Sequence, residues 1–225
     1  MENINLQTTN KVEDPAGFIV NAILKQLELG KKVLFFVTGG SSVAVGIEVS
    51  KIIKDHPHQN LTVMLTDERY GPIGHPDSNW QQLLQKGFSL PEAKLIPVLT
   101  GDSPEITTEK FNQNLERELQ GAEYKIGLFG VGKDGHTAGN LPNSISVNSE
   151  NLAFGYDTPD FYRVTMTPKA IEKLDEVVVW MQGEDKWKVI EDLEEKEIDI
   201  IKQPAQILKK VPLLTIFSDY PTRDK

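Results

Sequence analysis

The chain has 225 residues, 39% of them hydrophobic and 25% charged, proportions that suit a globular protein with a core of its own. Its net charge of -9 argues against nucleic acid as a partner, which needs a basic footprint, and against anionic membrane surfaces. The absence of cysteine excludes disulfides, thiol catalysis and zinc–thiolate sites.

Met1–Lys11 is polar, without the apolar core of a signal peptide, and no apolar run approaches the ~18 residues that span a bilayer. A cytoplasmic location is therefore expected. Asp14-Pro15 reads as a helix start, with a capping side chain followed by proline at the first helical position. Ile19, Ile23 and Leu27 then recur every four residues, and Gly30 ends the helix. Lys32–Thr38 is a short apolar run, hence a buried strand. Gly39-Gly40-Ser41-Ser42 follows, and an apolar helical pattern runs to about Ile53.

Leu61–Thr66 is the next strand and Asp67–Asp77 a loop, after which Ser78 or Asp77 caps a helix through Lys86. A short strand is expected at Leu95–Val98. A helix begins at Ser103-Pro104, with Phe111, Leu115 and Leu119 on one face. Tyr124–Phe129 is a strand that runs into a glycine-dense loop. Beyond Pro142 the chain is rich in Asn and Ser and reads as surface loop. Arg163–Met166 reads as a strand, Pro168 as the start of a short helix, Val177–Met181 as a strand and Glu184–Leu193 as a helix. Glu194–Asp199 is charged and solvated, and Pro212–Phe217 is a last strand. Strands that are continuous apolar runs, alternating with helices, predict a Rossmann-like α/β fold: a mostly parallel central sheet with helices on both faces. With no repeat and no linker, one domain over 1–225 is expected. Monomer and dimer are both left open.

Four constellations can carry chemistry. In Gly130-Val131-Gly132-Lys133-Asp134-Gly135-His136-Thr137-Ala138, a histidine lies past the carboxyl end of a strand, where open α/β sheets keep their ligands. Its side chain titrates nearest neutrality, so it can take and return protons. Asp134, two residues away, either orients the imidazole or holds the loop. Thr38-Gly39-Gly40-Ser41-Ser42 is either a phosphate cradle at a helix start or a tight turn with serine caps. It has neither the lysine of a P-loop nor the third glycine of a dinucleotide fingerprint. Asp67-Glu68-Arg69, ahead of Ser78-Asn79, is either a solvated charge run or a binding loop. Arg163 and Lys186 border strands and can focus an anion in an acidic chain. His56 and His58 read as part of a solvated turn, and His75 is left without a role.

In this order, VTGGSS (37–42), TDERYGP (66–72), DSN (77–79), GVGKDGHTA (130–138), RVTMTP (163–168) and GEDK (183–186), with Gln203-Pro204-Ala205 near the end, resemble the 6-phosphogluconolactonase family. The DER and DGHTA blocks are the specific ones. The resemblance implies the α/β fold of sugar-phosphate isomerases and hydrolysis of 6-phosphoglucono-δ-lactone to 6-phosphogluconate, the second step of the oxidative pentose phosphate pathway. No metal or organic cofactor is implied. His136 would be the general base, with Asp134 beside it. Arg69, or loop N–H groups near Gly135, would meet the oxyanion. Asp67, Arg163, Lys186 and the Gly39-Gly40-Ser41-Ser42 turn would hold the substrate and its phosphate.

Glucosamine-6-phosphate deaminases resemble the chain too. Their strand-end block looks like DEY, and their histidine loop continues to a functional glutamate in an FNEP-like run. Here that run is Gly139-Asn140-Leu141-Pro142, with leucine where the acid would stand. The chain also departs from the lactonases at Gly139-Asn140-Leu141, at Val43 and at Ser218–Lys225. The alternatives are thus a deaminase-like isomerase and a sugar-phosphate-binding protein without catalysis.

Overall fold

A computed structural model describes residues 4–221 of the chain. Residues 1–3 of the polar amino-terminal segment and 222–225 of the divergent carboxyl-terminal one lie outside the described residues. In chain order the elements are β1 (Ile4–Thr8), α1 (Glu13–Glu28), β2 (Val33–Val37), α2 (Val43–Ile53), β3 (Leu61–Leu65), β4 (Asp67–Arg69), α3 (Asn79–Gln85), β5 (Lys94–Ile96) and α4 (Pro104–Gly121). There follow β6 (Tyr124–Gly130), β7 (Ala153–Asp157), β8 (Tyr162–Met166), α5 (Pro168–Ile171), β9 (Glu176–Met181), α6 (Trp187–Glu195) and β10 (Leu213–Ser218).

Seven strands make one sheet in the order β1-β10-β9-β6-β2-β3-β5, and every pairing in it is parallel. All residues of β2 and β9 are buried, as continuous apolar runs require when both faces are covered. Phe35 pairs with Val63 on one side and Ile126 on the other. Each such side chain, fully removed from water, stabilises the fold by about 1.5–3 kcal/mol. Right-handed crossovers put α1, α2 and α3 on one face, because the chain then travels toward β5. They put α4, α5 and α6 on the other, because from β5 onward it travels back toward β1.

The expected loop Asp67–Asp77 begins instead as β4, which pairs antiparallel with β8. β8 in turn pairs with β7, inside the segment expected to be surface loop. These three strands form a second, antiparallel sheet, so the Arg163–Met166 strand does not join the central one. At the other end β1 adds a parallel edge strand beside β10, in a segment read only as polar. Helix α1 starts one residue before the expected Asp14 cap. Val12 holds the cap position without a side-chain bond, and the Asp14 carboxylate accepts the Thr9 hydroxyl. Gly30 does end α1, at φ +75, a left-handed turn that glycine adopts freely.

In the turn at His56-Pro57-His58, His56 and Pro57 are exposed as expected, but His58 is not. His58 is 1% exposed. Its Nε2 accepts the Glu92 N–H at 3.2 Å, so Nδ1 carries the proton and donates it to the His56 carbonyl at 2.6 Å. Replacing His58 by Ala removes both bonds and the buried ring. It should lower the unfolding free energy by about 1–3 kcal/mol, measured as a fall in the urea midpoint at unchanged slope.

Candidate active site

Strands β2 and β6 are neighbours, and the chain departs from them toward opposite edges of the sheet. That reversal opens a crevice beyond their carboxyl ends, and a cleft of about 310 Å³ lies there. Gly39, Gly40 and Ser41 line it from β2, Gly130–Lys133 and His136 from β6, Asp67 and Arg69 from β4, Arg163 from β8, and Asp185 and Lys186 from the turn before α6. Most of the residues singled out by sequence therefore meet in one place.

The turn after β2 uses its two glycines for different reasons. A Cβ on Gly39 would stand 2.1 Å from Asn79 Oδ1, and Gly40 has φ +65. Residues 40–42 form a single 3₁₀ turn that leads directly into α2. Gly39 has no side chain to cap with, and Ser42 makes no side-chain cap bond, so the serine-cap reading does not hold and no serine hydroxyl competes for the N–H groups of the turn. Ser42 itself is fully buried and does not line the cleft. Its hydroxyl faces Gly130, 3.1 Å from where a Cβ there would be.

In the β4–β8 ladder Asp67 pairs with Thr165 and Arg69 with Arg163. Strand alternation thus puts Asp67, Arg69, Arg163 and Thr165 on one face, toward the cleft, and Glu68 on the other. Two like charges directly opposite each other destabilise an antiparallel pair, so the two guanidiniums make a strongly anion-attracting wall. Asp67 offsets part of that charge: its Oδ2 is 3.8 Å from Arg163 Nη1. Burial pushes the Asp67 carboxyl above its ordinary range, against Arg163, the Thr66 hydroxyl, Arg69 and His136, which pull it down. Arg69 is steadied by the Asp77 carbonyl at 3.3 Å and by the Phe161 ring, whose centre is 5.0 Å away. The His75 ring donates from Nε2 to the Arg69 carbonyl at 2.9 Å, which gives His75 a supporting role behind the cleft.

Glu68 corrects the reading of the charge run as a solvated face. It is fully buried and accepts the Ser78 hydroxyl at 2.8 Å and the N–H groups of Asn79 at 2.6 Å and Trp80 at 3.1 Å. It thereby fastens the start of α3 to β4, while Ser78 caps that helix as expected. Burial raises the Glu68 carboxyl, and the bonds from Trp80, Asn79, Ser78 and Arg69 oppose the rise.

The His136 loop is a folded-back ribbon. Gly132 N–H donates to the His136 carbonyl at 3.0 Å and Gly135 N–H to the Gly132 carbonyl at 2.9 Å, while Gly135 has φ +79. The imidazole lies over Gly132, where a Cβ would be 2.2 Å from its Cε1. Asp134 Oδ1 is 2.6 Å from His136 Nδ1 and 3.1 Å from its backbone N. Asp134 therefore both orients the ring and holds the loop. It stands behind the imidazole rather than in the cleft wall. A proton on Nδ1 satisfies Asp134 and leaves the Nε2 lone pair free. Burial raises the Asp134 carboxyl, but the backbone, charge and ring of His136 together outweigh it and hold it below its ordinary value.

Asn79, Lys133 and Asp185 also line the cleft; the sequence placed them inside motifs without giving them a role. Lys133 and Asp185 sit inside motifs read for their neighbours. Asn79 is packed against a glycine 40 residues earlier, a contact that no local pattern announces. The Gly139-Asn140-Leu141 departure has a steric cause. A Cβ on Gly139 would lie 2.7 Å from Thr165 Cβ, its N–H donates to Thr165 Oγ1 at 2.9 Å, and its carbonyl accepts the Tyr156 hydroxyl at 2.6 Å. Val43 is buried in the core at the start of α2. Among the described residues no cluster of three or more His, Asp or Glu could hold a metal ion, and no helix is long and apolar enough to cross a membrane.

The fold and cleft define an open α/β protein with an anion-receptive pocket at its topological switch point, served by a histidine–aspartate pair. The model of the glucosamine-6-phosphate isomerase/6-phosphogluconolactonase family matches residues 8–215, and the chain belongs to that family. Among curated relatives, the 6-phosphogluconolactonase of Thermotoga maritima is 26% identical over 211 residues, 89% of this chain and 87% of that protein. The 6-phosphogluconolactonase of Haemophilus influenzae is 25% identical over 156 residues, 67% of each chain. The solved structure of the Thermotoga maritima 6-phosphogluconolactonase superposes with a TM-score of 0.81 at 23% identity, covering 96% of this chain and 98% of that one. A monomeric glucosamine-6-phosphate deaminase superposes with a TM-score of 0.77 at 18% identity, covering 95% and 96%.

Removing the imidazole takes away its charge and its ring bond, two of the influences that hold Asp134 down, and leaves the backbone N–H of residue 136 against burial, which pushes the other way. In His136→Ala the Asp134 carboxyl should therefore titrate at higher pH than in the parent, followed by carboxyl-carbon NMR. An unchanged or lower midpoint would mean that the pair is not coupled.

Proposed function

We propose that the chain hydrolyses 6-phosphoglucono-δ-lactone to 6-phosphogluconate. The observation that carries this reading is the Asp134–His136 pair, with one ring nitrogen committed to the carboxylate and the other free beside a cationic wall. A lactone is an activated ester, and its hydrolysis needs one group that takes a proton and gives it back. His136 Nε2 takes a proton from a water as its oxygen attacks C1. The carbonyl π pair moves onto oxygen and forms a tetrahedral oxyanion. When that pair returns, the bond from C1 to the ring oxygen breaks, and His136 passes its proton to the leaving oxygen. The free carboxylic acid then ionises.

Arg69 or an N–H of the His136 loop faces the oxyanion, and one such donor is commonly worth about 3 kcal/mol in the barrier. The Gly39–Ser41 turn, Arg163 and Lys186 hold the phosphate, and binding energy from that distant dianion positions C1 against the water. Deamination would need a further acid in the histidine loop. Leu141 supplies none, and its backbone N–H is spent on the Tyr156 hydroxyl at 3.4 Å. A sugar-phosphate-binding protein without catalysis has no use for an oriented base. The reaction is that of the oxidative pentose phosphate pathway, which runs among soluble metabolites.

The test is turnover of freshly made lactone, coupled to oxidation of the 6-phosphogluconate formed, with ammonia release from glucosamine 6-phosphate followed alongside. Acceleration over spontaneous hydrolysis without ammonia is expected; no acceleration would reject the reading. His136→Ala should lower kcat by about 10²–10⁴-fold while product affinity stays near that of the parent. Arg163→Ala and Lys186→Ala should instead act mainly on KM, and a loss confined to kcat would contradict a phosphate-holding role.

A further inference from the structure

We infer that Gln203, which lies outside the cleft, is a positioning residue for His136, anchored by the buried carboxylate of Asp192. The Gly135–His136 peptide is tied at both ends. Its N–H donates to Asp134 Oδ1 at 3.1 Å, and its carbonyl accepts the Ala205 N–H at 2.9 Å. The Gln203 stem closes the third side: a Cβ on Gly135 would stand 2.4 Å from Gln203 Cγ. With φ +79 at Gly135, the stem and the Ala205 bond fix the plane from which the imidazole projects.

The stem is itself held. Gln203 is 7% exposed and Asp192 8%. The Gln203 amide nitrogen donates to Asp192 Oδ2 at 3.3 Å, and its oxygen accepts from Gln206 Nε2 at 2.6 Å. Asp192 Oδ1 is paired with Lys188 and with Lys196, and these partners hold its carboxyl low against the opposing effect of burial. A buried polar network satisfied to this degree is stiff. Asp192 lies on α6, the helix that begins directly after Lys186. The network therefore joins the helix that follows a phosphate-side cation to the loop carrying the base, and it helps to set the spacing between the two.

The kinetic test rests on the hydrolase reading; the spectroscopic one does not. Gln203→Ala removes stem and amide together. It should lower kcat on the lactone by 10- to 100-fold with KM within about twofold, since a misplacement on the order of 1 Å can cost 10²-fold. Gln203→Met keeps the methylene stem against Gly135 but loses the amide anchor, and should recover kcat only part of the way, to a value between the Ala variant and the parent. The His136 Nδ1–H proton resonance, which reports the bond to Asp134, should shift in Gln203→Ala and move part of the way back in Gln203→Met. Unchanged kcat and resonance in Gln203→Ala would overturn the inference, and so would a Met variant no better than the Ala variant. If Gln203→Ala does not fold, Asp192→Asn, which keeps the shape and removes the charge, should shift the same resonance; an unmoved resonance there would also overturn it. If the parent protein does not accelerate lactone hydrolysis, the hydrolase reading falls while the resonance still decides the brace.

Discussion

Strands β2 and β6 lie side by side, yet the chain leaves their carboxyl ends in opposite directions. After β2 it works outward through β3 to β5, and after β6 it works the other way through β9 to β10. No crossover helix can cover the gap between two strands whose connections diverge, so the crevice there is a consequence of strand order alone. Everything the site uses is hung around it. The Gly39–Ser41 turn leaves from one side of the gap and the His136 loop from the other. The small antiparallel sheet of β4, β7 and β8 stands as a wall, with the side-chain alternation of β4 and β8 deciding which charges face inward.

That wall explains how a chain of net charge -9 presents positive charge in its cleft. Opposing Arg69 to Arg163 in register is unfavourable for the sheet by itself, and burying Asp67 beside them is a partial remedy. A carboxyl raised by folding favours the native state below its ordinary pKa, and that contribution is lost as pH rises through the raised value. Asp67 and Glu68 are both raised by burial, so each opposes folding near neutrality through desolvation. Glu68 is offset by the N–H groups and the hydroxyl that it collects at the start of α3. Asp67 has a hydroxyl and a guanidinium nearly 4 Å away, a weaker set that leaves the cationic wall only part-neutralised.

The main sheet was legible because β2, β3, β6 and β9 are mostly apolar runs bounded by turns, and burial on both faces is what such runs mean. The loops that matter chemically were legible because glycine, histidine and charge cluster where strands end. The second sheet was not. β4 is three residues long and spells Asp-Glu-Arg, which reads as solvated until β8 is placed beside it, and β7 lies in an Asn- and Ser-rich stretch. β1 is half polar because it is an edge. The role of Glu68 depends on α3 docking ten residues later, and that of His58 on Glu92, 34 residues away. Local patterns carry propensity and burial, whereas these residues are defined by the partners they meet in three dimensions.

The Gly139-Asn140-Leu141 run shows why a change of residues need not be a change of mechanism. Thr165 comes so close to the loop that only glycine fits at position 139, and its hydroxyl accepts the N–H of that glycine. Asn140 donates to the Met166 carbonyl at 2.9 Å. These bonds dock the loop onto β8, the strand that carries Arg163, and so fix the distance between the His136 loop and the cationic wall. What the run lacks is an ionisable group: glycine, asparagine and leucine cannot carry a proton at neutral pH. Beyond Ala138 the loop therefore adds no proton carrier to Lys133, Asp134 and His136. Ester hydrolysis needs no more than one such centre, because the proton taken from water is the one returned to the leaving oxygen. A reaction that must also protonate a departing amine or open a sugar ring needs a second centre, and a docked, apolar loop end has no place for one.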